Sequence, residues 1–249
     1  MAKAVYDQFI LFGDSITELS YDPNIGFGFG AALQNAYNRR LDVINRGLSG
    51  YTTANAVIVL PKFFPAAETA RVRLMTVFFG ANDAVLAPYA QHVPLDQYKS
   101  NLQKILAYPA TQGQNPKILV LTPPPVNEHQ LQIFDAEKGF PTPSRTAANT
   151  KVYADACREV ATAAGYPVVD IWTALMTAAG WKPGQPLVGS KDQPPNERLA
   201  SFFTDGLHLT GEGYKVVFDE LMKVLRATWP EEDPEKLPMM FPHWEQAPK

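Results

Sequence analysis

Four short blocks of the sequence hold residue types that could break an ester bond. The first, Gly13-Asp14-Ser15-Ile16-Thr17-Glu18, presents a serine hydroxyl, a weak nucleophile until a neighbouring base withdraws its proton. The last, Thr204-Asp205-Gly206-Leu207-His208, offers such a base. Asp205 and His208 are three residues apart, so a single helical turn would make them neighbours. The carboxylate could then accept from one ring nitrogen while the other takes the serine proton. Between them, Asn45-Arg46-Gly47-Leu48-Ser49-Gly50 and Gly80-Ala81-Asn82-Asp83 offer a glycine N–H and a side-chain amide. Donors of both kinds stabilise an oxyanion.

Each block also has an ordinary structural reading. Ser15 followed by Glu18 is a capping box. Gly50 fits a tight turn that needs positive φ. Asn82 suits a turn or a helix cap. An isolated Asp-x-x-His pair is common, and its histidine is usually structural. A metal site is the other alternative for the pair, but no second His or carboxylate cluster shows ligand spacing. What separates the readings is position, because three of the four blocks directly follow a strand pattern.

Short apolar or β-branched runs bounded by Gly, Pro, Asn or Asp predict strands over 8–12, 42–45, 74–79, 117–121 and 168–171. Unbroken apolar runs, such as that over 74–79, imply strands covered on both faces, as in a parallel sheet. Leu95, Tyr98, Leu102, Ile105 and Leu106 recur at helical spacing, as do Tyr214, Val217, Phe218, Leu221, Val224 and Leu225. The alternation predicts a doubly wound, three-layer α/β/α sandwich with a mostly parallel five-stranded sheet. Such sheets bind ligands beyond the C-terminal strand ends, where Ser15, Gly50 and Asn82 fall.

The 249 residues suit one domain over 1–228, followed by an arm over 229–249. That arm carries Pro230, Pro234, Pro238, Pro242 and Pro248 and is expected to be extended. Its Phe241 and Trp244 are large apolar groups that could cover a site mouth or dock a second copy of the chain as a homodimer. The Pro- and Gly-rich stretch 181–198 reads as a long surface loop. With 46% hydrophobic and 19% charged residues and a net charge of −3, the chain has the make-up of a folded protein without general attraction for nucleic acid or anionic membrane. Arg39-Arg40, its longest basic cluster, reads as a solvated helix end. No segment approaches the roughly 20 apolar residues of a membrane span, and the first residues lack an apolar signal core. One cysteine, Cys157, excludes an internal disulfide and reads as a small buried hydrophobe. A cytoplasmic location is expected.

Gly13-Asp14-Ser15-Ile16, Gly50, Gly80-x-Asn82-Asp83 and Asp205-x-x-His208 together resemble the SGNH hydrolases, the GDSL-type lipase/esterase family, with all four blocks in family order. Within that family the chain is similar to the fungal isoamyl acetate-hydrolysing esterases. The residues that carry this likeness are 9–18, Arg46-Gly47-x-x-Gly50-Tyr51-Thr52, 79–84 and 204–208. The resemblance implies a flavodoxin-like fold, with Ser15 as nucleophile and Asp205–His208 completing a triad. It also implies the N–H groups of Ser15 and Gly50 and the Asn82 amide as oxyanion donors, with neither metal nor cofactor. Ile16 stands where the family usually has leucine, a change that conserves volume. The Gly-x-Ser-x-Gly elbow of α/β-hydrolases is absent, since Thr17 follows Ile16.

A small acetate ester is the implied substrate. Thioesters, lysophospholipids and acetylated sugars are family alternatives, as is acyl transfer to an alcohol, and a non-catalytic binding protein is the alternative of a different class. The segment 122–129 is expected to border the site. Asp83 is expected to hydrogen-bond structurally, and His92, His129 and His243 to be surface or structural groups.

Overall fold

A computed structural model describes residues 6–247; Pro248 and the first five residues lie outside that range. The chain order is β1 (Gln8–Gly13), α1 (Ser15–Glu18), α2 (Phe29–Ala36), β2 (Asp42–Gly47), α3 (Thr53–Phe63), β3 (Val72–Phe78), α4 (Leu95–Leu106), α5 (Pro109–Gln114), β4 (Lys117–Leu121), α6 (Glu128–Glu137), α7 (Ala147–Ala163), β5 (Val168–Val169), α8 (Ile171–Ala178), α9 (Glu197–Ser201) and α10 (Gly211–Thr228). The five strands form one parallel sheet in the order β2-β1-β3-β4-β5.

Period-two alternation divides β1 between two cores. Phe9 and Leu11 pack with α2, α8 and α10 through Leu33, Leu175, Tyr214, Val217 and Leu221. Ile10 and Phe12 pack with α3, α4 and α7 through Leu60, Leu102, Ile105 and Val160. Burial on both faces explains the unbroken apolar runs, and the three-layer sandwich is as expected. Cys157 is fully buried on α7, its thiol reaching the Leu121 carbonyl at 3.5 Å. Burial pushes that thiol up to about 12.

In this strand order the connections reverse direction between β1 and β3, and the crevice beyond their C-terminal ends is where such sheets bind ligands. Ser15 follows β1 and Asn82 follows β3.

Local chemistry shifts several boundaries from those expected. The fifth strand ends at Val169, not 171, because the Asp170 side chain accepts the Thr173 N–H at 3.1 Å and caps α8. The stretch 181–198 is mostly exposed, the surface loop expected, and is anchored at both ends. Trp181 is buried, donating its indole N–H to the Gln185 carbonyl at 3.1 Å, and Asn196 caps α9 at the far end.

The arm after Trp229 is folded back rather than extended along its first part. Glu232 is 3% exposed and ion-pairs with Arg73 and Lys117, both at 2.7 Å. Tyr37 donates to the Glu232 carbonyl at 2.7 Å, and Leu237 is buried. Arg39 and Arg40 do not form a solvated helix end. Arg40 donates to the Leu237 carbonyl at 3.0 Å, and Arg39 to the carbonyls of Phe241 and Pro242. Arg73 and Lys117 begin β3 and β4, so residues 230–242 lie at the sheet's N-terminal edge. That is the end opposite the crevice, and this stretch does not cover its mouth.

Candidate active site

The sequence after β1 turns at once into α1. Asp14 accepts the Ile16 N–H at 2.9 Å and is the N-cap, so the capping-box reading of Ser15 and Glu18 does not hold. Ser15 is therefore the first helical residue, and its N–H is one of those a helix leaves without an internal acceptor. Glu18 accepts the Ser49 N–H at 2.6 Å instead, which ties α1 to the turn after β2. Asn45 strengthens the link by donating to the carbonyls of Thr17 and Glu18, both at 3.1 Å.

That turn places Gly50 at φ +79°, where other residues are strained. A Cβ there would meet only Gln91, at 3.4 Å, so conformation rather than crowding calls for glycine. Gln91 donates to the Gly50 carbonyl at 2.7 Å.

After β3, Asn82 lies in a turn and caps no helix. Its Nδ2 donates to the Tyr51 carbonyl at 3.0 Å, and its Oδ1 accepts from Arg145 at 3.0 Å. The neighbouring Asp83 accepts from the Thr53 N–H at 3.0 and 3.2 Å and from the Thr53 hydroxyl, pinning the start of α3 to this turn. Burial raises the Asp83 carboxyl to about 6.

Asp205 and His208 come together without the helical turn expected of them. They occupy a tight loop closed by an antiparallel bridge between Phe203 and Leu209. Gly206, at φ +88°, breaks any helix there. Asp205 Oδ1 accepts the N–H groups of Leu207 (2.9 Å) and His208 (2.8 Å), and Oδ2 lies 2.6 Å from His208 Nδ1. Burial alone would raise the Asp205 carboxyl. The hydrogen bond from His208, its charge, and the two backbone N–H groups together hold it below the usual carboxylate value. His208 Nε2 lies 3.0 Å from Ser15 Oγ.

Ser15, Gly50, Asn82 and His208 thus line one cavity of about 430 Å³, and Asp205 stands behind His208. Among the described residues, no group of three His, Cys, Asp or Glu side chains could hold a metal ion. Such an arrangement places a hydroxyl, a base and an orienting carboxylate in line beside several N–H donors.

The rest of the wall was not anticipated. Leu19, Phe134, Phe140 and Leu207 give it an apolar surface, and Gln91, Lys138 and Arg145 add polar groups. The proline segment 122–126 is buried beneath and does not line the cavity. The lining comes instead from α6 and the turn after it. No feature of 128–140 distinguishes Phe134 from a core residue. Arg145 left a faint signal: it directly precedes the N-cap of α7, where a cation opposes the helix dipole. His129 reaches the Gln193 carbonyl at 3.1 Å, His92 reaches the Val85 carbonyl at 2.6 Å, and His243 is exposed.

Residues 11–216 match the GDSL-like Lipase/Acylhydrolase family. A GDSL esterase/lipase of Arabidopsis thaliana is 37% identical over 95% of this chain and 91% of its own. The isoamyl acetate-hydrolyzing esterase 1 homolog of Rattus norvegicus is 33% identical over 99% and 90%. Among solved structures, the lipase/acylhydrolase from Enterococcus faecalis superposes with a TM-score of 0.62 at 22% identity, covering 89% of this chain and 96% of the other. The acetylxylan esterase of Geobacillus stearothermophilus gives 0.64 at 16% identity over 90% and 95%, a likeness of fold alone. The chain belongs to the GDSL-like lipase/acylhydrolase family and is a carboxylic ester hydrolase.

Proposed function

We propose that the protein hydrolyses short-chain esters, acetates above all, through an acyl-enzyme on Ser15. The observation that carries this reading is the pair of contacts on His208: Nε2 at 3.0 Å from Ser15 Oγ and Nδ1 at 2.6 Å from Asp205 Oδ2. His208 removes the serine proton as Oγ bonds to the ester carbonyl carbon. Asp205 fixes the tautomer and stabilises the imidazolium that forms. The carbonyl oxygen, now an oxyanion, is met by the N–H groups of Ser15 and Gly50 and by Asn82 Nδ2. When the C–O bond to the alcohol breaks, His208 returns the proton to the leaving oxygen. Water then adds to the acyl-enzyme while His208 takes its proton, and Ser15 leaves reprotonated with a free carboxylic acid released.

The acetate preference is supported by the kind of cavity and by the kind of relative. A space of about 430 Å³ walled by Leu19, Phe134 and Leu207 suits a small apolar ester. The rat relative is named for isoamyl acetate and the Geobacillus neighbour for acetylxylan. A single, buried thiol fits a reducing compartment, so we assign the protein to the cytoplasm.

Hydrolysis of p-nitrophenyl acetate, butyrate and octanoate by the wild type and Ser15→Ala tests the reading, with intact mass measured after fluorophosphonate treatment. Turnover falling with acyl length, and one adduct that Ser15→Ala lacks, is the expected result. Absence of both turnover and adduct in the wild type would leave a binding protein that keeps the fold.

A further inference from the structure

Arg145 is 4% exposed, yet its three hydrogen bonds all go to neutral acceptors: the Ala81 carbonyl (2.8 Å), Asn82 Oδ1 (3.0 Å) and Ser144 Oγ (3.3 Å). Burying a guanidinium without a bound carboxylate is costly in general. Desolvation accordingly lowers its ionisation to about 10, against the more distant carboxylates of Asp135, Asp14 and Asp205. It remains a cation at neutral pH. A buried cation with no carboxylate bound to it among the described residues, on the wall of the cavity that holds Ser15 and His208, is a costly feature for packing alone to keep.

Its contacts indicate what it does. Arginine only donates, so the oxygen of the Asn82 amide must face it. The Tyr51 carbonyl only accepts, so the nitrogen must face Tyr51. Together the two partners leave one orientation for the amide, with one N–H on Tyr51 and the other free for a ligand. The Ala81 carbonyl, one residue earlier, holds the same guanidinium and fixes the turn itself. A charge-assisted bond at Oδ1 also draws electron density from the amide, which makes the free N–H a stronger donor.

We propose that Arg145 is a positioning residue for the oxyanion site: it fixes and polarises the Asn82 amide and adds a positive potential where the oxyanion develops. This rests on the acyl-enzyme reading above. Because the field and the amide matter more as negative charge grows on the substrate, loss of Arg145 lowers kcat rather than weakening ground-state binding.

The test is a double-mutant cycle on p-nitrophenyl acetate hydrolysis with Arg145→Met, Arg145→Lys and Asn82→Ala, each variant's folding followed by circular dichroism and Tm. Arg145→Met is expected to lower kcat roughly 10- to 100-fold with KM within about twofold, less than the ~10²–10³ of an oxyanion donor itself. Arg145→Lys should recover part of that loss. Adding Arg145→Met to Asn82→Ala should cost little more than Asn82→Ala alone. Should Arg145→Met not fold, Arg145→Lys takes its place in the cycle, with a smaller but equally non-additive loss expected. A folded Arg145 variant with wild-type kcat, losses that multiply in the double mutant, or an effect confined to KM would each overturn the proposal. If the wild type itself neither turns over nor labels at Ser15, the acyl-enzyme reading has failed first.

Discussion

Ser15 and His208 are 193 positions apart in the chain and 3.0 Å apart in space. The sheet makes this possible. Ser15 stands at the C-terminal end of β1, and the loop that carries His208 opens α10, which packs on that face of the sheet beside β1. Tyr214 of α10 donates to the Ile16 carbonyl at 2.8 Å, one residue beyond the serine, and locks the two segments together.

The first prediction concerns the third member of this line. Asp205→Asn keeps the size and the backbone contacts but turns an acceptor toward Nδ1 into a group that can present an N–H. The imidazole then favours the tautomer that cannot accept from Ser15. In kinetics on p-nitrophenyl acetate, kcat should fall by about 10⁴, as in serine hydrolases with the equivalent change. The Tm should stay within a few degrees of wild type. A loss below tenfold would mean that Asp205 does not orient the base.

How much of this was legible in the residues depends on which force placed them. The sheet was, because Phe9 to Phe12 are apolar without interruption and Leu74 to Phe78 are broken only by Thr76, a pattern that suits a doubly covered strand. The placing of Ser15, Gly50 and Asn82 at one end of the sheet was, because each lies a few residues after a strand pattern, although β2, before Gly50, is an edge strand with only Val43 and Ile44 apolar. The geometry of Asp205 and His208 was misjudged: their spacing suits a helix, and Gly206 forbids one. Gln91 and Phe134 were not legible, since each reaches the cavity from a segment whose pattern reads as surface or core, and Arg145 left only the faint signal of a cation before the N-cap of α7. The arm was misjudged for a related reason. Its prolines pointed to an extended chain, while the partners that fold it back, Tyr37, Arg40, Arg73 and Lys117, are scattered along the first half of the sequence.

Gly206→Ala tests the loop. A Cβ at this position would lie 2.4 Å from the Asn127 carbonyl oxygen, in a backbone conformation of φ +88°. A non-glycine residue held there costs roughly 1–3 kcal/mol, or a Tm lower by about 2–12 °C for a protein of this size. The loop can relieve the clash only by moving, and it carries both Asp205 and His208. The expected outcome is a drop in kcat larger than the stability loss explains, measured at a temperature where circular dichroism shows the variant fully folded. Normal kcat in a destabilised variant would separate the loop's fold from its function.

Glu232→Ala tests the arm. Removing this 3%-exposed carboxylate takes the buried partner from Arg73 and Lys117, each a little over a quarter exposed, and leaves them only the more exposed Asp7 and Glu231. Breaking a buried pair costs about 3–5 kcal/mol, and solvent at the two cations screens part of that, so a loss of roughly 1–3 kcal/mol is expected in urea unfolding. Because the cluster lies at the sheet edge opposite the cavity, kcat and KM should be unchanged. The variant's mass in solution, compared with wild type, reports whether the arm also joins two copies of the chain. Altered ester kinetics in the folded variant would show the two ends of the sheet to be coupled.

Asp14, the neighbour of the serine, gives a pH dependence with a definite sign. Burial is the largest influence on its carboxyl. The Ile16 N–H and the charges of His208 and Arg145 partly offset it, Asp83 adds to it, and the net effect raises the group from 3.8 to about 7. Between those values the folded protein binds a proton that the unfolded chain releases. The stabilisation is therefore complete below about pH 4 and is lost as pH rises through 7. Asp14→Asn removes this term while keeping a side-chain oxygen to cap Ile16. The Tm of Asp14→Asn relative to wild type should accordingly be higher at pH 8 than at pH 5. Burial raises Asp83 in the same direction, to about 6; because its charge repels that of Asp14, Asp14→Asn also eases Asp83, and the difference keeps its sign. A gap in Tm that stays constant from pH 5 to 8 would show that Asp14 binds no more proton in the folded protein than in the unfolded chain across that range, and would overturn this prediction.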